Sequence, residues 1–146
     1  GNNRAQYDLS LMYLQGIGTD KNIAQSWTWM NRAAEAGNIQ AMLELGVRYQ
    51  KSASLENGSQ MAFAWFEKAA MAGSAAGQYN LSRFYQNGDV VPADIAQAYV
   101  WLTLSNEFGN PVAASEAKNL KARLTVAELE KANEKLMNLR KTIQKP

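Results

Sequence analysis

Residues 27–37 read WTWMNRAAEAG, residues 63–73 read FAWFEKAAMAG, and residues 99–109 read YVWLTLSNEFG. Successive stretches lie 36 positions apart. Each opens on two bulky residues separated by one (Trp27 and Trp29, Phe63 and Trp65, Tyr99 and Trp101), and each closes on a glycine: Gly37, Gly73 or Gly109. A fixed step of this size marks a stacked repeat, in which no unit can bury its apolar face alone. The register extends outward. Leu9, Leu45 and Leu81 form one column, Tyr13, Tyr49 and Tyr85 another, and a small polar residue follows each glycine (Asn38, Ser74, Asn110). Carried backwards, the step lands on Gly1 and Asn2.

Within each unit the apolar spacing is helical, and two helices fit. The first unit carries Ala5, Leu9 and Tyr13 at i, i+4 and i+8, a single helix face that the spacing points into the core. Gly16 and Gly18 stop that helix. A second helix begins near Asn22, a capping residue with Gln25 three positions on, and Asp94 with Gln97 repeats the arrangement. The middle unit has Gly58 at the cap and Ser52 and Ser54 where the first has glycines. The closing glycines suit a left-handed helix end, and the polar residue after each can cap the next first helix, with Pro111 in a first turn. Trp29, Trp65 and Trp101 read as core. Tryptophan and tyrosine fill the seam between the helices of a unit, and Ser10, Gly46 and Ser82 allow close approach.

The end of the chain departs from the pattern. A first helix runs to about Leu120, and Thr125 with Glu128 forms a capping box ahead of a longer helix to about Ile143. Leu129, Ala132, Leu136, Leu139 and Ile143 make one narrow stripe. Glu128 and Glu130 come early and Arg140, Lys141 and Lys145 late, the order that suits a helix dipole. The reading is a polar cap sealing the last repeat. The expected fold is all-α: a single solenoid domain over 1–146, with repeats at 1–36, 37–72 and 73–108 and a capping pair at 109–146.

Composition narrows the function. Fifteen basic and thirteen acidic residues leave a net charge of only +2, without the strong basic excess of a nucleic-acid binder. No apolar run reaches the length needed to span a bilayer. There is no cysteine, so no disulfide and no thiolate metal site, and no histidine, the commonest general base and metal ligand. Ser115-Glu116-Ala117-Lys118 matches the S-x-x-K signature of penicillin-recognising hydrolases, but the companion S-D-N and K-T-G elements are absent. No cofactor is expected.

The columns together resemble the Sel1-like repeat, a relative of the tetratricopeptide repeat, with a pattern near A-x-x-x-L-G-x-x-Y, a glycine loop, then W-x-x-K-A-A-x-x-G. The second unit matches best, through Ala41, Leu45, Gly46, Tyr49, Trp65, Lys68, Ala69, Ala70 and Gly73. The first has Ser10 and Arg32 for the glycine and lysine. The third has Gly77 for the opening alanine, Ser82 for the second unit's Gly46, and Ser105 and Asn106 for the alanine pair. Residues 124–129, LTVAEL, look like the ending of bacterial members. The resemblance implies a right-handed α-solenoid of about four antiparallel helix pairs with a longer C-terminal capping helix. It implies adaptor or scaffold roles, often in bacterial envelope, secretion or host-interaction systems and in eukaryotic membrane-protein quality control. Periplasmic or secreted placement follows from the resemblance alone.

In tetratricopeptide relatives the first helices line the concave side. On a helical wheel the positions opposite Ala5, Leu9 and Tyr13 gather as Arg4, Tyr7, Leu11, Leu14 and Gln15. Their counterparts are Gln40, Leu43, Val47, Gln50 and Lys51, then Ala76, Tyr79, Arg83, Gln86 and Asn87. Apolar and aromatic side chains rimmed by amides and cations mark a protein-binding face. The alternative for Tyr7 and Leu43 is packing against the neighbouring first helix. The cations Arg4, Lys51, Arg83 and Arg123 favour an acidic or carboxylate-ended segment, whereas a cell-wall glycan would stack on Tyr7 and Tyr79. Asp8 and Glu44 read as solvated rim residues. Because Gly1 falls at a seam, further repeats of the same protein upstream of it, or another protein, are expected against the first helix.

Overall fold

The computed structural model describes residues 2–52 and 57–143, so readings that involve Gly1, Ser54 and Lys145 lie outside the described residues. Eight helices and no strand occur among the described residues. They are α1 (Asn3–Gln15), α2 (Ile23–Glu35), α3 (Ile39–Lys51), α4 (Gly58–Met71), α5 (Ala75–Asn87), α6 (Ile95–Glu107), α7 (Val112–Lys121) and α8 (Val126–Thr142). Neighbours in sequence pack as pairs, α1 on α2, α3 on α4 and α5 on α6, and each pair joins the next through its second helix. The seam between α2 and α3 is the thinnest of the three joints.

The helix ends follow the chemistry of the repeat. Asn2, Asn38 and Ser74 accept backbone N–H groups of α1, α3 and α5, and Asn22 and Asp94 do the same for α2 and α6. Each uses a side-chain oxygen to satisfy a donor the helix cannot pair itself. After α2, Gly37 takes φ 91; its N–H reaches the Ala34 carbonyl and the Asn38 N–H the Ala33 carbonyl. That two-bond closure needs a left-handed residue, which is why glycine returns at Gly73 (φ 85) and Gly109 (φ 107). Four caps depart from expectation. The Gln25 side chain completes no capping box at α2, where only the Asn22 side chain bonds. The Gln97 side chain does not complete a capping box but accepts from Lys135 of α8. The Asn110 side chain donates to Ser105 Oγ at 3.1 Å, leaving α7 without a side-chain cap. α4 starts at Gly58 itself, after Asn57 at φ 64.

Packing explains the columns. Leu45, Leu81, Phe66, Leu102, Ala33, Ala69 and Ala70 are fully or almost fully removed from solvent, worth about 1.5–3 kcal/mol for each large side chain. Ser10 and Ser82 are also buried, each hydroxyl donating back to a carbonyl three residues earlier, those of Tyr7 and Tyr79, at 2.6 Å. Gly46 faces the Phe66 ring directly. The aromatic contacts lie elsewhere than expected. Tyr49 meets Trp27 of the preceding unit at 5.5 Å, and Tyr85 meets Phe63 likewise at 6.1 Å, so these rings lock one unit to the next. Trp65 and Trp101 are core, but Trp29 of α2 is half-buried and Ala5 of α1 exposed, because no helix among the described residues covers the outer side of this first pair.

α8 breaks the alternation. It lies against α6, whereas its backbone stays clear of α7 apart from the connecting turn. Ala132, Leu136 and Ile143 of the stripe are buried and Leu129 and Leu139 are packed at its edge. Lys135 reaches Gln97, and the Arg140 guanidinium grips the Glu107 carboxylate with both Nε and Nη2. The capping box is complete: Glu128 N–H donates to Thr125 Oγ1, and the Glu128 carboxylate accepts from Thr125 N–H at 2.8 Å.

Candidate functional site

Of the fifteen positions on the wheel, the ten candidate contacts (Tyr7, Leu11, Gln15, Leu43, Val47, Gln50, Lys51, Tyr79, Arg83 and Gln86) fall on α1, α3 and α5, and the structure divides them. Gln15, Gln50, Lys51 and Arg83 are exposed. Tyr7 and Leu11 pack against the cluster around Met30 and Leu45, Leu43 touches that cluster and the one around Phe66, and Val47 joins the latter. Tyr79 packs on the large C-terminal cluster, and Gln86 is half-buried. The row is therefore a set of polar tips over a packed apolar floor. The reason is geometric: helices in a stack are covered on more than half their circumference, so side chains beside a seam are drawn into it.

Two acids outside the ten candidates organise this row. Tyr79 Oη donates to Glu116 Oε1 of α7 at 2.7 Å, and the other carboxylate oxygen lies 3.9 Å from Arg83 Nη1. The bond to Glu116, with burial second, holds the Tyr79 phenol above its ordinary range. At the first seam Tyr7 lies beside Glu44, and burial, then the Glu44 charge, pushes its phenol up. Glu44 accepts from Arg48 Nε at 3.0 Å, and that guanidinium stands 5.5 Å over the Trp27 ring. Glu44 is thus half-buried in an ion pair, while Asp8 in the same column is exposed. The signal was present in the sequence: Glu44 follows Tyr7, and Glu116 follows Tyr79, by 37 positions, one more than the repeat.

Two recesses flank these elements. One of about 220 Å³ opens at the first seam between Arg4, Tyr7, Asp8, Asn38 and Gln40. Another of about 490 Å³ lies between the start of α6 and α8, bordered by Asp94, Gln97, Glu128 and Lys131; nothing in the repeat columns announced it, because it depends on how α8 docks. Ser115 does not form a nucleophile pair. Its hydroxyl donates to the Val112 carbonyl of its own helix at 3.3 Å, and Lys118 is exposed. Among the described residues no group of three acidic side chains could hold a metal ion, and no helix is long and apolar enough to cross a membrane.

The Sel1 repeat model matches residues 3–38, 39–74 and 75–107, each match starting where α1, α3 or α5 starts. This chain belongs to the Sel1 repeat family. A Sel1 repeat protein from Oxalobacter formigenes is similar over 81% of this chain and 89% of its own, at 32% identity and a TM-score of 0.75. A protective antigen present in uropathogenic Escherichia coli strains and displaying an SLR fold is 34% identical, with a TM-score of 0.68 over 77% of this chain. The match spans only 24% of that antigen. No curated protein matches. Sel1 repeats are generally protein–protein interaction scaffolds; the all-α solenoid expected from the columns and the bacterial relatives expected from residues 124–129 are those found.

Proposed function

We propose that this chain is a non-enzymatic scaffold that holds a partner protein, through an extended peptide segment, along the groove side of α1, α3 and α5. The observation that carries the reading is the row itself: exposed amides and cations above a packed apolar floor. Rigid packing beneath means that little side-chain entropy is lost when a partner binds. The free charge on the row is mainly positive. Glu44 is already engaged by Arg48, and Glu116 by Tyr79 and, at 3.9 Å, by Arg83, whereas Arg4 and Lys51 present exposed cations, with Asp8 the exposed acid among them. That balance favours an acidic or carboxylate-ended segment. A sugar-stacking surface would want open rings at Tyr7 and Tyr79, and both are half-buried.

The test is a pull-down with wild-type protein and a Lys51→Ala/Arg83→Ala double variant as baits. Both side chains are exposed, so the variant keeps its fold. A protein retained by the wild type and lost by the variant supports the groove; equal retention by both removes it. The uncovered side of α1 extends the proposal. Leu9 is half-exposed and Ala5 exposed, while Leu45, Leu81 and Ala41 in the same columns are fully buried by the preceding unit. We assign that side to the second helix of another Sel1 unit.

A further inference from the structure

The sequence holds two Asn-Gly pairs, Asn57-Gly58 and Asn87-Gly88. Such pairs are where asparagine amides are lost most readily, because glycine offers no side chain to hinder its own nitrogen from closing on the asparagine. The structure treats the two differently. Asn87 ends α5 inside a hydrogen-bonded turn: the Gly88 N–H donates to the Phe84 carbonyl at 2.9 Å, and the Asn87 amide leans on Asp89. Asn57 is exposed at φ 64 and its side chain makes no cap bond; Gly58, the first residue of α4, is buried, whereas Gly88 is exposed, so the contrast between the pairs lies in hydrogen bonding and not in exposure. A first-turn N–H has no carbonyl in its own helix to bond, and none among the described residues takes this one.

We propose that Asn57 is a site of spontaneous deamidation, with Asn87 protected by the fold. When the first turn of α4 frays, the Gly58 nitrogen loses its proton to solvent base and attacks Cγ of Asn57. The new N–Cγ bond closes a succinimide, the Cγ–Nδ2 bond breaks, and the amide leaves as ammonia with a proton from solvent. Water then opens the ring. Breaking the N–Cγ bond gives aspartate; breaking the original peptide bond gives isoaspartate, with the backbone rerouted through Cγ. Either product changes the net charge from +2 to +1. Aspartate there places a carboxylate at the start of α4, where the helix dipole favours it. Isoaspartate lengthens the connection between α3 and α4 by one methylene.

Peptide mapping of protein aged at mildly alkaline pH tests this, since tryptic peptides 52–68 and 84–118 each carry one of the pairs. Parallel ageing in denaturant gives the rate of each pair without structure, and the Asn57→Asp variant supplies a standard for the normal product. The expected result is at least several-fold faster conversion of the 52–68 peptide than of the 84–118 peptide in the folded protein. Its product should include isoaspartate, and the two rates should converge in denaturant. Equal folded rates, faster loss at Asn87, or a 52–68 peptide that converts only in denaturant would each overturn the proposal.

Discussion

Replacing Gly77 by alanine restores the residue that Ala5, Ala41 and Ala113 hold in the same column, and it should nonetheless destabilise the protein. A helix interior gains about 1 kcal/mol when glycine becomes alanine. Against this stands the space at the α4–α5 seam. A Cβ at Gly77 would lie 2.7 Å from the Ala70 nitrogen, 2.8 Å from the Ala69 Cβ and 3.0 Å from the Ala69 carbonyl carbon. These are backbone atoms and a methyl group within a buried helix turn, with no flexible side chain to swing aside. The two helices must separate, and overpacking of that kind costs typically about 1–3 kcal/mol. Because the obstacle is backbone, the upper half of that range applies, leaving a net loss of about 1–2 kcal/mol. For a protein of this size the loss corresponds to a fall in melting temperature of about 2–8 °C. Differential scanning calorimetry or urea denaturation of wild type and Gly77→Ala measures it. An unchanged or raised midpoint would refute the reasoning, showing that the seam yields at no cost and that the column's alanine is the better residue here.

Tyr79→Phe removes the Oη bond to Glu116 and should lower stability by at most about 1 kcal/mol, since the pair is half-exposed; chemical denaturation checks it. Tyrosines 7, 79 and 85 all titrate above the ordinary value of 10.0, Tyr79 chiefly through its bond to Glu116 and the other two chiefly through burial. Their protonated forms therefore favour the fold, a contribution complete below pH 10 and lost as pH rises through the folded values. Unfolding followed across pH 9–12 should show the midpoint falling, and less steeply in Tyr79→Phe. Thr125→Ala removes the N-cap of α8 and should cost about 0.5–2 kcal/mol, read as faster amide exchange in α8 than in α6. Placing a copy of residues 37–72 ahead of α1 should raise the melting temperature by burying Leu9; a fused unit that melts separately counts against the proposed use of that side.

Much of the fold was legible because the repeat writes each structural requirement three times. Gly37, Gly73 and Gly109 announce left-handed helix ends by position alone, and the capping residues before the helices do the same. What the columns could not tell was which neighbour a side chain meets. Tyr49 is followed by its own unit's second helix and preceded by Trp27 of the unit before, and only the stacking geometry sends its ring to Trp27. The same ambiguity governs the candidate row: a helical wheel separates two faces, but a stacked helix has a third side, and Tyr7, Leu43 and Tyr79 sit at its edge. The docking of α8 was the least legible part. Its apolar stripe declares that it packs, and nothing in one helix names the helix it packs on.

The thin joint between α2 and α3 has a mechanical meaning. In a linear array each joint bears the whole of any tension along the axis, so resistance is set by the weakest joint and not by the sum. α4 on α5 and α6 on α7 meet more extensively, and α8 straps the far end by gripping Gln97 and Glu107. A load drawn between the first helix pair and the rest therefore parts the molecule behind α2. The remaining units stay stacked, and the groove side of α3 and α5 stays intact while α1, still packed on α2, swings away with it.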